Sequence, residues 1–185
     1  MKNLIDAAFS TVKRSDFVPA EMKEYVSQDR PIPIGHRQTN SQPSTVRMML
    51  EWLKPEVGDS VLDIGSGSGW TTALLAEIVG PTGHVYGVER IAELVEMGKQ
   101  NCQKYEYDNV TFHLAGASYG LPQRAPFDKI LVSASADTFP EELLDQLKPD
   151  GRLVVPVQND IVVISKQNDV IHTDKYPGFV FVPLV

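Results

Sequence analysis

Apolar residues change their period along this chain, and the change divides it into two kinds of structure. Leu4, Ile5, Ala8, Phe9 and Val12 recur at helical spacing, which predicts a helix ending near Lys13. Phe17, Val18 and Pro19 form a connector, and Glu21 to Val26 predicts a short helix. In Arg30 to Ile34 (RPIPI) the two prolines forbid a regular helix and bias their predecessors towards extended geometry. Gly35 to Ser41 (GHRQTNS) is polar and reads as irregular. Pro43 suits the first turn of a helix running to about Leu53, with Ser41 or Gln42 near its N-cap.

From Ser60 the pattern becomes an alternation of short apolar runs and amphipathic stretches. It predicts strands at Ser60–Ile64, His84–Val88, Val110–Leu114, Lys129–Ser133 and Arg152–Val157, with helices at Ser68–Val79, Ile91–Lys104 and Glu141–Leu147. Repeated units of this kind imply an α/β fold with a doubly wound, mostly parallel sheet. Ile161–Ser165 and Phe179–Val182 predict two late strands, with Asn168-Asp169 as a turn signal after the first. No long helix separates them, so they are expected to form an antiparallel edge.

One junction in this series carries chemistry. Val61 to Trp70 (VLDIGSGSGW) runs from a buried strand through glycines at 65, 67 and 69 into a helix. Such a turn brings backbone N–H groups and a helix N-terminus up to a ligand, and a Cβ would block the approach. A dinucleotide fingerprint would place a glycine at position 70, where Trp70 stands. Asp63 followed by alternate glycines points instead to a nucleoside cofactor without a pyrophosphate, S-adenosylmethionine first among them. Glu89 ends the next predicted strand 20 residues after Gly69. An acid there suits ribose hydroxyls; it equally suits the start of the helix at Ile91, where a carboxylate complements the macrodipole.

Composition narrows the field. The 185 residues include 42% hydrophobic positions, enough for one core, so a single domain is expected over 1–185. Within it, 1–55 forms a helical and substrate-loop region and 56–185 the cofactor-binding core. A net charge of −7 and a pI near 5.0 argue against a nucleic-acid partner, which would need a basic face. The single cysteine, Cys102, excludes an internal disulfide and is expected as an apolar filler on the helix after Glu89. No residues have metal-ligand spacing, so no metal is expected. His84 and His113 are expected as satisfied hydrogen-bonders on strands, His36 as a structural donor beside the site and His172 as exposed. With no apolar run of membrane-spanning length and no signal-peptide core, a cytoplasmic monomer without membrane contact is expected.

At this point the chain resembles the protein-L-isoaspartate O-methyltransferases. The likeness is carried by FVP at Phe17–Pro19, PIGHxQTxSQP at Pro33–Pro43 and VLDIGSGSG at Val61–Gly69. It continues through VER at Val88–Arg90, APFDKI at Ala125–Ile130, QLKPDGRLVVPV at Gln146–Val157 and FVPL at Phe181–Leu184. The glycine turn is common to many S-adenosylmethionine enzymes, whereas QTxSQP is specific to this family. The resemblance implies a seven-stranded, Rossmann-like methyltransferase sheet. It implies S-adenosyl-L-methionine as cofactor, S-adenosyl-L-homocysteine as product, and damaged proteins or peptides as partners. The activity implied is methylation of the free carboxylate of an isoaspartyl residue, whose ester then closes to a succinimide. By the same resemblance Ser41 is the residue that holds the carboxylate. Gln38, Thr39, Ser41, Asp63, Gly65, Ser66, Gly67, Glu89, Arg90, Gly116 and Ala117 line the cofactor. As a residue read alone, Ser41 is a plain helix cap.

The chain also departs from the family pattern. Ala115, Gly116 and Ala117 stand where Gly-Asp-Gly is usual, which removes a carboxylate from the adenine side. Arg37 and Asn40 replace the usual glycine and isoleucine, so that Arg37 either pairs with a substrate carboxylate or narrows the pocket. The chain also begins about one helix late and stops just after FVPL, so some substrate-covering surface is expected to be missing. These departures keep two alternatives open: a carboxylate methyltransferase acting on another peptide or small acid, and a non-catalytic cofactor-binding module.

Overall fold

The computed structural model describes residues 2–167 and 170–184. Helix α1 spans Lys2–Thr11, and two 3-10 turns lead to strand β1 at Ile32–Gly35 and β2 at Gln38–Asn40. Helix α2 (Pro43–Leu53) precedes the alternating part. That part comprises β3 (Ser60–Ile64), α3 (Trp70–Val79), β4 (His84–Glu89), α4 (Ala92–Gln103), β5 (Val110–Leu114) and β6 (Phe127–Val132). After it come α5 (Glu142–Asp145), β7 (Leu147–Val157), β8 (Asp160–Gln167) and β9 (Val170–Pro177). Strands β3 to β9 form one seven-stranded sheet in the order β5-β4-β3-β6-β7-β8-β9. Pairing is parallel from β5 to β7 and antiparallel across β8 and β9.

The expected sheet is therefore present, and the reason is visible in β3. Residues in a strand alternate between faces. Val61 packs with α1, α2 and α3 on one side, whereas Leu62 and Ile64 pack with Leu121, Phe127 and Leu143 on the other. A strand buried on both faces must be apolar nearly throughout, which is what VLDI shows. Helix α1 buries Ile5, Ala8 and Val12 in the first of these clusters, and so attaches the N-terminal segment to α3.

Three expectations about elements are corrected. The stretch Gly35 to Ser41 is not irregular: Gln38–Asn40 is a strand, paired antiparallel with Ile32–Gly35 through a two-residue turn. Its polar composition hid it, because β2 faces the site while the apolar core contacts of the hairpin come from Ile32 and Ile34 on β1. The last strand is Val170–Pro177, not Phe179–Val182. Most of β9 is solvent-exposed at the sheet edge, so it shows no apolar alternation. Gly178, at φ +96°, ends it, and outside the named strands the Val182 carbonyl then accepts from the Ser135 N–H while the Leu184 N–H donates to the Ser135 carbonyl. The Asn168-Asp169 turn signal lies outside the described residues. Finally, of the two residues expected near the N-cap of α2 it is Gln42 that takes the position, so the reading of Ser41 as a plain cap fails. Gln42 makes no side-chain cap bond, and the Ser44 N–H donates instead to Asp29 Oδ1 at 2.9 Å. That backbone N–H, with the Gln42 amide second, holds the Asp29 carboxyl below the usual carboxylate range.

Candidate active site

The chain crosses from one half of the sheet to the other beside β3, and ligands in open α/β sheets bind at such a switch, outside the carboxyl ends of the strands. A cavity of about 230 Å³ lies there. Its walls come from the ends of β3, β4, β5 and β6, from the β2 segment Gln38–Ser41, and from Val182–Leu184 near the C-terminus.

The glycine turn forms the cavity's inner wall. Gly65, Gly67 and Gly69 have φ values of +75°, +53° and +89°, a conformation that side chains rarely adopt. Two of them also meet close neighbours. A Cβ on Gly67 would lie 3.3 Å from Ile34 Cδ1, and one on Gly69 would lie 3.0 Å from Gly98 Cα. Gly69 thus lets α3 and α4 approach each other, while Gly67 lets the β1 hairpin close over the turn.

Glu89 is only 6% exposed and lines the cavity. Its Oε2 accepts the Gly67 N–H at 3.0 Å, and its Oε1 accepts the Ile91 N–H at 3.0 Å. Of the two sequence readings of Glu89, the structure shows the one at the start of the helix. The carboxylate opens α4, and it also fixes the glycine turn, with a second lone pair on each oxygen still available to a ligand.

Of the other expected residues, Gln38, Thr39, Ser41, Gly65, Ser66, Gly67, Arg90, Gly116 and Ala117 line the cavity. Asp63 does not. Its face of β3 points towards α3, where it is 0% exposed and Oδ2 accepts from Thr72 Oγ1 at 2.6 Å. Burial pushes the Asp63 carboxyl up to about 6; the Thr72 and Thr71 hydroxyls draw it down and the Glu89 charge raises it. Asp63 is thus a support beneath the turn. The Ser66 hydroxyl and the Trp70 indole N–H are buried without a protein partner, and both residues line the cavity. A bound ligand or an ordered water satisfies such groups, and Asp63 Oδ1 and His113 Nε2, away from the cavity, are buried unpaired among the described residues as well.

His84 Nε2 lies 3.1 Å from Thr111 Oγ1, as expected, but the expectation for His113 fails: its Nε2 is buried without a partner beside the ring of Tyr86. His36 is exposed at the hairpin tip, and its carbonyl accepts from Gln38 Nε2 at 3.4 Å. Cys102 is a buried filler on α4, and burial pushes its thiol up to about 12.

Several residues at the site carried no sequence signal. Ser133, Ala134 and Tyr119 line the cavity because of where the sheet brings their loops. Asn40, which the sequence marked as a departure from the family pattern, is only 4% exposed and also lines the cavity. Arg14, only 7% exposed, lies behind it and sends Nε to Asn40 Oδ1 at 2.8 Å and Nη2 to the Ser41 carbonyl at 2.9 Å. In the sequence Arg14 is indistinguishable from the exposed Lys13 beside it.

Comparison with known proteins agrees with this geometry. A family profile described as Protein-L-isoaspartate(D-aspartate) O-methyltransferase matches residues 1–185. A protein of Methanothrix thermoacetophila named protein-L-isoaspartate O-methyltransferase is 46% identical over 181 residues, covering 96% of this chain and 86% of the relative. One of the same name from Pyrococcus horikoshii is 41% identical, covering 98% of this chain and 84% of the relative. Among solved structures, a protein-L-isoaspartate O-methyltransferase superposes with a TM-score of 0.88 at 28% identity, covering 98% of this chain and 61% of that one. A putative enzyme of the same kind from Plasmodium falciparum, in complex with S-adenosyl-L-homocysteine, superposes with a TM-score of 0.87 at 27% identity, covering 98% of this chain and 90% of its own. A glycine turn at the switch point, a QTxSQP hairpin closing over it and relatedness along the whole chain together place this protein in the protein-L-isoaspartate(D-aspartate) O-methyltransferase family.

Proposed function

We propose that this cavity binds S-adenosyl-L-methionine against Gly65–Gly67 and Glu89, and that Ser41 holds the isoaspartyl carboxylate of a damaged protein or peptide for methylation. The residues present fit the cofactor. Ser66 Oγ and Trp70 Nε1 are buried and lack partners among the described residues, the Gly67 position leaves the turn without a side chain, and the Glu89 carboxylate has lone pairs to spare at the cavity wall. When bound, the cofactor supplies an electrophilic methyl group on a sulfonium cation.

The protein's own task is then mostly positional. An isoaspartyl carboxylate, with an unperturbed pKa of ~4, is already ionised at neutral pH, so no general base is needed. Transfer joins an anion to a methyl carried by a cation and neutralises both, and an environment poor in water favours it. The Ser41 side chain sits on the segment between β2 and α2, at the cavity wall. Its O–H donates to one carboxylate oxygen and leaves the other free to attack. Gln38 and Thr39, from the adjoining strand, close the cofactor side of the same segment.

The observation that carries this reading is the placement of Ser41, Glu89 and the glycine turn in the wall of one cavity. Ser41→Ala tests it. Losing one orienting hydrogen bond in a dry site lowers turnover ~10²-fold or more, whereas affinity for S-adenosylhomocysteine stays near wild type. Turnover of an isoaspartyl peptide is compared with its aspartyl twin, and calorimetry reads the affinity. Wild-type turnover in a folded Ser41→Ala protein removes Ser41 from the mechanism.

A further inference from the structure

Arg14 is a buried cation that makes no salt bridge among the described residues, and the chemistry described above does not use it. Burial draws its guanidinium down to about 10, with Asp29 opposing and Arg30 adding to the fall, so it remains charged at neutral pH. Its donors go almost entirely to backbone. Nη1 reaches the carbonyls of Val26 and Gln28 at 3.3 and 3.0 Å, and Nη2 those of Arg30, Asn40 and Ser41 at 2.7, 3.3 and 2.9 Å. Nε donates to the Asn40 side chain at 2.8 Å, and the Asn40 amide in turn donates to Ser68 Oγ at 3.5 Å. The guanidinium also lies 5.4 Å from the centre of the Trp70 ring, at the start of α3.

A single side chain thus gathers the 3-10 turn before β1, the end of β2, the Ser41 main chain and, through Asn40, the glycine turn. Only the planar guanidinium fork has enough donors in fixed directions to do this; a lysine ammonium has three and no plane. Ser41 needs such support. Asp29 holds Gln42 and Ser44 after it, but the Ser41 carbonyl itself is fixed by Arg14.

We propose that Arg14, acting through Asn40, is a positioning residue for methyl transfer that sets the Ser41 segment in register with the cofactor turn at Ser68. The inference rests on the role assigned to Ser41. It goes further in naming what places that hydroxyl and in coupling the substrate segment to the cofactor loop.

The test uses the whole chain and four variants: Asn40→Leu, Arg14→Lys, Arg14→Ala and the double variant Arg14→Ala with Asn40→Leu. Thermal melts establish folding, calorimetry with S-adenosylhomocysteine reads the cofactor site, and steady-state kinetics on an isoaspartyl peptide separates kcat from KM. Asn40→Leu and Arg14→Lys are expected to stay folded, to bind S-adenosylhomocysteine within ~3-fold of wild type and to lose ~10-fold in kcat. The double variant should fall no further than Arg14→Ala, because the two residues act as one unit. Guanidinium ion at low millimolar concentration should restore part of the turnover of Arg14→Ala and none of that of Asn40→Leu. If Arg14→Ala does not fold, Asn40→Leu and Arg14→Lys decide the matter alone. Folded Asn40→Leu and Arg14→Lys proteins with wild-type kcat overturn the proposal, as does a loss confined to cofactor affinity. Ser41→Ala, measured alongside, tells the two failures apart. Full turnover there removes the proposal's basis, whereas a large loss there beside intact Arg14 and Asn40 variants defeats this inference only.

Discussion

At the scale of single residues, the buried carboxyl of Asp63 makes stability depend on pH in an unusual direction. Desolvation raises it from 3.8 to about 6, so between those values the folded protein keeps a proton that the unfolded chain has lost. The group's stabilising contribution is complete below the unfolded value and disappears as pH rises through the folded one. Over the whole window it amounts to about 3 kcal/mol. Asp63→Asn should therefore flatten the loss of stability between about pH 3 and about pH 7, read by urea unfolding of both proteins. An equal fall in the variant would assign the effect to other groups. Gly116 supports a second prediction at this scale. It lines the cavity where the family pattern has an aspartate, and a Cβ built there meets nothing within 4 Å. Gly116→Asp therefore fits, and by offering the adenine amine an acceptor it should tighten S-adenosylhomocysteine binding ~10-fold or more. Unchanged or weaker binding in the titration would mean that the amine already has a partner.

At the scale of elements, the β1–β2 hairpin carries local strain at two successive residues. The two residues of its turn, His36 and Arg37, have φ values of +52° and +59°, and Gly35 before them has +92°. Both turn residues at positive φ is the sign pattern of a type I′ hairpin turn, which selects Asn-Gly and similar pairs. A non-glycine residue in that region costs ~1–2 kcal/mol, offset in part by the ~0.5–1 kcal/mol that glycine loses in chain entropy. Arg37→Gly should thus raise stability by ~0.5–1 kcal/mol, seen as a higher denaturant midpoint at unchanged slope. A lower midpoint would show that the Arg37 side chain makes a contact worth more than the strain. Turnover of acidic and neutral isoaspartyl peptides by the same variant shows whether the exposed Arg37 also reads substrate charge.

At the scale of the whole molecule, the cavity is closed by segments far apart in the chain. Residues 38–41 come from the N-terminal hairpin, and Val182–Leu184 come back from beyond the edge strand. The return is held where the Ser135 N–H donates to the Val182 carbonyl and the Leu184 N–H to the Ser135 carbonyl, both at 2.8 Å. A chain ending at Phe181 keeps the edge-on packing of Phe179 against Trp52 but loses this wall. It should stay folded and bind S-adenosylhomocysteine ~10-fold more weakly, because less of the ligand is taken out of water. Wild-type affinity in the calorimeter would show that the segment is not part of the binding wall.

What the sequence determined by itself is what local patterning enforces. Strands buried on both faces must be apolar, as Val61–Ile64 is, and a turn that admits a ligand must be free of Cβ atoms, as Gly65, Gly67 and Gly69 are. Glu89 at a strand end and the QTxSQP run were legible for the same reason: residue type and spacing state the chemistry directly. What only the tertiary structure decided is where polar groups go when their partners are distant. Asp63 turned out to support the turn from below, because strand alternation aims it at Thr72 and away from the cavity. The edge strand Val170–Pro177 left no apolar pattern, because no second layer covers most of it. Arg14 left none either, since its partners span residues 26 to 41 and are mostly main-chain carbonyls, which every residue carries and no sequence pattern marks.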